Sequence, residues 1–353
     1  MKQRWSDRFA RLVIIVAAGA SCGRARAETT PKAALLALSK RDHTLAIVDP
    51  QTLKVVAKAP VGDDPHEVIA AADGATAYVS NYGFGAFHSL AVVDLVAQKP
   101  LPSVDLGALR GPHGLTFVGG KVWFTAEAAK AVGRFDPSRK VVDFILGTGQ
   151  DRTHMIAVSS DQTRIITSNV NSATISIIDK SARHAFGARP PNGAPPPPNG
   201  APDGDWEETV VPVGRGSEGF DLAPNGQELW VGNAQDGTIS IIDVHAKKVI
   251  ATLNVDVAGA NRLKFTPDGK HVVVSGHGGA AITVLDVATR KVVKRFDGIG
   301  GAAGIQMQPD GARVFVACGR DNYIAVIDTK TWTIISKIDV GGEPDGMAWA
   351  TRP

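Results

Sequence analysis

Cysteine is almost missing from this chain: Cys22 and Cys318 are the only two in 353 residues. If residues 1–27 are removed, as argued below, Cys318 stands alone and no intramolecular disulfide can staple the fold. Strand pairing and core packing must then hold it, and the lone thiol, behaving as a small hydrophobe, is expected to be buried. Long apolar segments are lacking too. The run LVIIVAAGA (12–20) is too short to span a bilayer, so no transmembrane segment is expected. Nothing after residue 27 reads as a helix. No Gly-x-Ser-x-Gly elbow is present for a serine nucleophile, and no Gly-rich phosphate loop for a nucleotide.

An excess of one charge is also absent once the amino terminus is considered. Lys2, Arg4, Arg8 and Arg11 precede the apolar run, and Ala25-Arg26-Ala27 follows it, the order of a cleaved export signal. Cleavage after Ala27 leaves a domain of 28–353 in the periplasm or secreted. A lipid anchor on Cys22 is the competing reading, although Gly19 stands where such signals carry an aliphatic side chain. Six of the 38 Lys and Arg and one of the 35 Asp and Glu lie in 1–27, leaving 32 against 34 and a formal charge of −2. Such a surface offers no basic excess to a polyphosphate, and nucleic acid is not expected as a partner.

What the chain has in abundance is repetition. A short strand ending in a small polar residue is followed, about ten residues on, by a strand ending in aspartate: Asp49, Asp94, Asp136, Asp179, Asp243, Asp286 and Asp328. The intervals are 45, 42, 43, 64, 43 and 42 residues. A period near 43 in an all-β pattern predicts four-stranded blades set radially, and seven copies predict a seven-bladed β-propeller. The second copy shows the unit: HEVIAAA, an Asp73-Gly74 turn, TAYVSN, SLAVVDL and KPLPSVDLG. The first copy lacks an inner strand and the last copy is only one, Gly346 to Thr351. Three amino-terminal strands plus that carboxyl-terminal strand therefore close the ring. The aspartates begin third-to-fourth-strand turns and are expected to be structural. Residues 181–207, with RPPNGAPPPPNGAPDGD, form a Pro- and Gly-rich insertion too poor in apolar side chains to pack.

Tyr78-Val79-Ser80-Asn81, Ile165-Ile166-Thr167-Ser168-Asn169 and Leu229-Trp230-Val231-Gly232-Asn233 resemble the YVTN-repeat β-propeller family, over residues 35 to 351. The resemblance implies the same fold and leaves activity open, because propellers host many functions. Gly111-Pro112-His113-Gly114-Leu115 with Val122-Trp123-Phe124-Thr125 and Gly133-Arg134-Phe135-Asp136-Pro137 is similar to one repeat of the virginiamycin B lyase family. That implies a metal-assisted elimination using a histidine near the channel mouth. Asp64-Pro65-His66-Glu67-Val68 is similar to inner strands of propeller lactonases of the phosphogluconolactonase type. Arg262 and Arg152 stand beside the ring where a companion arginine would be sought.

Aligning the seven inner strands puts His66, His113, His154, Glu218, Asn261, Ala303 and Asp345 in one column at the channel mouth. Three of the nine histidines fall there on consecutive blades. Imidazole is a common metal ligand and a general base near neutral pH. A strand-opening histidine can equally bond a neighbouring backbone, and that reading stays open. The second strands end in Ser39, Asn81, Ala126, Asn169, Asn233, Gly276 and Cys318, where the asparagines are expected to close turns. Glu127 and His277, one residue further on, break the pattern and become candidate ligands. Tyr82 opens an insertion, Tyr82–His88, whose aromatics suit a partial lid.

The leading expectation is an exported propeller that binds a small polar ligand or a divalent metal ion at the channel mouth without turning it over. Ligand contacts are expected from Asn261, Asp345, Arg262, Glu127, His277 and Tyr82, and metal contacts from His66, His113 and His154. The alternative is a metal-assisted lyase or lactonase with His66, His113, His154 and Glu218 as catalytic residues. A third is a scaffold that acts on a protein partner through its faces.

Overall fold

The computed structural model describes residues 29–181, 205–278 and 282–353. The expected export signal, Cys22 and most of the Pro-rich insertion lie outside the described residues. Among the described residues, twenty-eight strands form seven antiparallel sheets of four. In blade 2 the order from the axis outward is Pro65–Ala70, Thr76–Asn81, Ser89–Asp94 and Lys99–Asp105. The inner strands of blades 3 to 7 are Pro112–Val118, Thr153–Val158, Ser217–Leu222, Ala260–Phe265 and Ala302–Met307.

Blade 1 joins the chain ends. Pro344–Thr351 is its inner strand and pairs antiparallel with Ala33–Ser39, with Leu35 opposite Trp349 and Ala33 opposite Thr351. The ring closes as the sequence predicts, and the sheet edge of each terminus is covered by the other. No helix among the described residues is long and apolar enough to cross a membrane.

The second and third strands read as nearly continuous apolar runs, such as RVFVAC and YIAVID, because both their faces are covered by neighbouring blades. Each cluster of the core lies between two blades: Leu36, Leu38 and Ile47 of blade 1 pack on Val68, Val79 and Val93 of blade 2. The outermost strands alternate, as in KVIATLN. Cys318 is fully buried in such a cluster, and burial pushes its thiol up to about 11.

The recurrent aspartates are turn residues. Asp328 accepts from the N–H groups of Lys330 and Thr331 at 3.0 and 2.8 Å, while its carbonyl accepts from Trp332 at 2.9 Å. Trp332 then takes φ 51°, as do Leu53, Gln98, Lys140, Lys247 and Arg290 at the same place in other blades, at φ between 52° and 59°. This is a type I turn followed by one left-handed residue, a common short hairpin connection. In blade 4 the corresponding strands pair out to Ser181 and Asp205, on either side of the insertion.

Candidate functional site

The column beginning the inner strands surrounds a cavity of about 790 Å³ at one mouth of the channel. His66, His113, His154, Glu218, Asn261, Ala303 and Asp345 all line it, together with Tyr82, Arg152, Arg262 and His277. Glu127 stands directly behind, hydrogen bonded to three of these residues, Tyr82, Arg152 and His154. Repeat geometry thus brings every residue singled out from the sequence to one place.

The column that follows explains how long side chains reach the axis. It runs Glu67, Gly114, Met155, Gly219, Arg262, Gly304 and Gly346. Inner strands crowd so closely that a Cβ on Gly346 would lie 2.3 Å from the His66 carbonyl oxygen, and one on Gly219 would lie 2.8 Å from Arg262 Cδ. Each of Glu67, Met155 and Arg262 sits beside a glycine of the preceding blade, and that space lets Glu67 of blade 2 meet Arg262 of blade 6 across the channel. Arg262 also lines a second cavity, of about 440 Å³, further along the axis, so the pair partitions the channel.

Around the floor the charges form one connected network. The His154 ring is 2 % exposed; its Nδ1 is bonded to Glu127 Oε1, and its Nε2 lies 2.8 Å from Glu218 Oε2, outside hydrogen-bond geometry but in ionic contact. Burial alone would lower the His154 pKa, but Glu218 and Glu127 outweigh it and raise it. Burial likewise pushes the Glu218 carboxyl up, yet His154, Arg262 and Arg152 pull it down to about 2. Glu127 Oε2 accepts from the Tyr82 hydroxyl at 2.5 Å and from Arg152 Nε at 3.3 Å.

His113 has no such support. Its ring lies 3.8 Å from that of His154 and 4.9 Å from that of His66, centroid to centroid. Burial, then the nearby cationic groups, hold it well below the usual imidazole range, and its Nδ1 is buried without a hydrogen-bond partner among the described residues. His66 Nε2 is 2.8 Å from Lys40 Nζ, and Lys40 lies between Asp64 at 3.5 Å and Asp345 at 3.7 Å. The three imidazoles therefore lie in a row, His66 edge-on to His113 and His113 tilted against His154. The group whose ligand atoms come within 4.8 Å of one another is His113, Glu127 and His154.

The second-strand asparagines serve the frame. Asn81 Nδ2 donates to the Val61 and Asp63 carbonyls, at 2.9 and 2.8 Å, while Asn169 and Asn233 donate to hydroxyls of their own third strands. Tyr82 is buried, edge-on to His66 and His113. Phe84, in the short 3-10 turn Gly83–Gly85, is 88 % exposed at the cavity lip.

Sequence reasoning missed Lys40, Asp64 and Glu67 as site residues. Lys40 follows Ser39 as Glu127 follows Ala126 and His277 follows Gly276, so the same column held it. Asp64 belongs to the column before the inner strands: Asp64, Gly111, Arg152, Gly216, Gly259, Gly301 and Glu343, all at positive φ. Four blades use glycine there, where left-handed backbone is easiest, and the three that do not carry charge: Arg152 and Glu343 line the cavity, and Asp64 pairs with its Lys40.

Residues 226–352 match the model of the YNCE-like beta-propeller family, in keeping with the propeller resemblance of the repeats. No curated protein matches the sequence significantly. Among solved structures, a Desulfotomaculum acetoxidans protein of unknown function superposes with a TM-score of 0.70 at 12 % identity, covering 91 % of this chain and 99 % of its own. A candidate 6-phosphogluconolactonase from Bacteroides fragilis gives 0.67 at 16 % identity over 91 % and 99 %. Hydrazine synthase of Kuenenia stuttgartiensis gives 0.62 at 16 % identity over 79 % and 87 %. At these identities the likeness is one of fold.

Proposed function

We propose that the chain is an exported propeller whose channel-mouth cavity binds a small, oxygen-rich anion of the hydroxycarboxylate class. The supporting observation is a control built into the fold. One column is ionisable in blades 1 to 5, as Asp345, His66, His113, His154 and Glu218, but is Asn261 in blade 6 and Ala303 in blade 7. The ring therefore closes without charge at this position, while desolvating charge costs several kcal/mol per ion before pairing. Such a cost without a structural need marks a binding site.

The class of ligand follows from which groups remain uncommitted. Glu67, Glu127, Glu218, Asp345 and Glu343 are each in ionic contact with a cation. The Arg320 and His277 side chains face the cavity and make no hydrogen bond or ion pair among the described residues, and the Arg152 side chain is partly exposed. The two guanidinium groups among these are donors only, which call for acceptor oxygens on the ligand. Thermal melts test this: malate, glycolate or gluconate is expected to raise the melting temperature, whereas glycerol and erythritol are not. An equal response to acids and polyols would count against an anion site.

A second reading is favoured by the chain Glu127–His154–Glu218, in which an imidazole held between two carboxylates lies within reach of a bound ligand. A lactone would present the same oxygens, and ring opening by a lactonase or lyase is followed as release of acid from a lactone panel.

A further inference from the structure

We propose that His113, Glu127 and His154 bind one divalent transition-metal ion of the zinc class at the floor of the cavity. One ligand atom from each already lies within 4.8 Å of the others, against the roughly 3.3 Å edge of a tetrahedron with zinc bonds near 2.0–2.1 Å, a gap closed by small side-chain rotations. All three residues are buried, and His113 Nδ1 is a buried ring nitrogen with no partner among the described residues. An unpaired polar atom in such a place is unusual, and a metal ion accounts for it.

Charge points the same way. The floor network holds five carboxylates, Asp64, Glu67, Glu127, Glu218 and Asp345, against three permanent cations, Lys40, Arg152 and Arg262. Among these side chains the carboxylates outnumber the permanent cations by two, a surplus that favours a bound cation. The outer shell is in place as well: the Tyr82 hydroxyl and Arg152 Nε fix Glu127 through Oε2 and leave Oε1 on the His154 side. Partners that orient a ligating carboxylate in this way typically sustain metal affinity. The donor set of two imidazoles and one carboxylate suits zinc or cobalt and leaves a coordination position open.

The proposal rests on the reading of this cavity as a binding site, and the two can fail separately. Metal binding is measured with no organic ligand present, and hydroxycarboxylate binding on chelator-stripped protein. Protein made without a polyhistidine tag is titrated with Zn²⁺ by calorimetry and with Co²⁺ by visible absorption. One equivalent per chain is expected, with the intense d–d bands of a tetrahedral cobalt site. His113→Ala and Glu127→Gln should each weaken binding at least about tenfold, the range seen for disturbed metal shells. His271→Ala, remote from the cavity, should not weaken it. Absence of stoichiometric binding, or equal binding by all three variants, overturns the proposal. Should a cavity variant fail to fold, zinc-edge X-ray absorption of the wild-type protein decides: two imidazoles and a carboxylate support it, and a purely aquated or single-histidine ion refutes it.

Discussion

The Arg262 guanidinium of blade 6 meets the Glu67 carboxylate of blade 2 at 2.7 Å across the channel, with side chains only 12 % and 14 % exposed. Each sits beside a glycine of the blade before it, so the bridge depends on Gly219 and Gly346 as much as on the charges. Burial would lower the Arg262 pKa, but Glu67, Glu218 and Asp345 raise it.

Removing one partner should therefore cost more than removing both. Glu67→Gln leaves Arg262 with Glu218 at 3.9 Å as its nearest remaining carboxylate. A loss of about 2–3 kcal/mol is expected in urea unfolding, somewhat below the range for a fully buried broken pair. Glu67→Met with Arg262→Met should return to within about 1 kcal/mol of wild type. A double variant as unstable as the sum of the singles would show that the residues act independently.

Glu343 tests whether charge is kept at the site against the preference of the backbone. It has φ 51° in a column where four blades use glycine, and its ion pair with Arg41 is half exposed and worth little. Relief of the left-handed penalty outweighs the greater freedom of glycine in the unfolded chain, so Glu343→Gly should stabilise the fold by about 0.5–1 kcal/mol. A destabilised variant would show that the Arg41 pair or the Glu343 stem contributes more than its exposure implies.

Ring closure makes Pro344–Thr351 the innermost strand of blade 1. Deleting residues 344–353 removes the inner strand of blade 1 and uncovers Leu35 and Ala37, which are fully buried. Loss of the cooperative melt, or aggregation, is expected. A truncated chain that melts like the full one would mean that blade 1 stands on three strands.

The hairpin aspartates make the fold acid-sensitive. Hydrogen bonds hold Asp286 and Asp328 below the usual carboxylate range, the largest cause being the Thr289 hydroxyl for the first and the Thr331 N–H for the second. A carboxyl depressed in the folded state contributes stability above its unfolded pKa, near 3.9, and that contribution disappears as the pH falls below it. Asp328→Asn keeps the turn acceptor and loses the titration. Its melting temperature at pH 7 should be lower, because the charge no longer strengthens the turn, while the decline between about pH 5 and pH 2 becomes shallower. An unchanged acid limb would assign the acid sensitivity elsewhere.

The fold was legible because each blade repeats one solution, so seven weak strand patterns reinforced one another. Even the closing strand could be placed, since the first copy visibly lacks what the last supplies. The site was legible only in part. His66, His113 and His154 stood out by residue type, but their order, with His154 between two carboxylates and His66 against Lys40, depends on side-chain directions that a column does not carry. The pairing of Glu67 with Arg262 was hidden for another reason: it joins blades 2 and 6, 195 residues apart, and no repeat register relates them.

Calorimetric titration of chelator-stripped protein with hydroxycarboxylates tests the central claim most directly. At least one of glycolate, malate and gluconate is expected to bind saturably at one site per chain. The affinity should fall at least about tenfold when Arg152→Ala and Arg320→Ala are combined, since each charge-assisted bond contributes about 1.5–3 kcal/mol. No binding by any of the three, or equal binding by the double variant, would contradict the assignment of the channel mouth as an anion site.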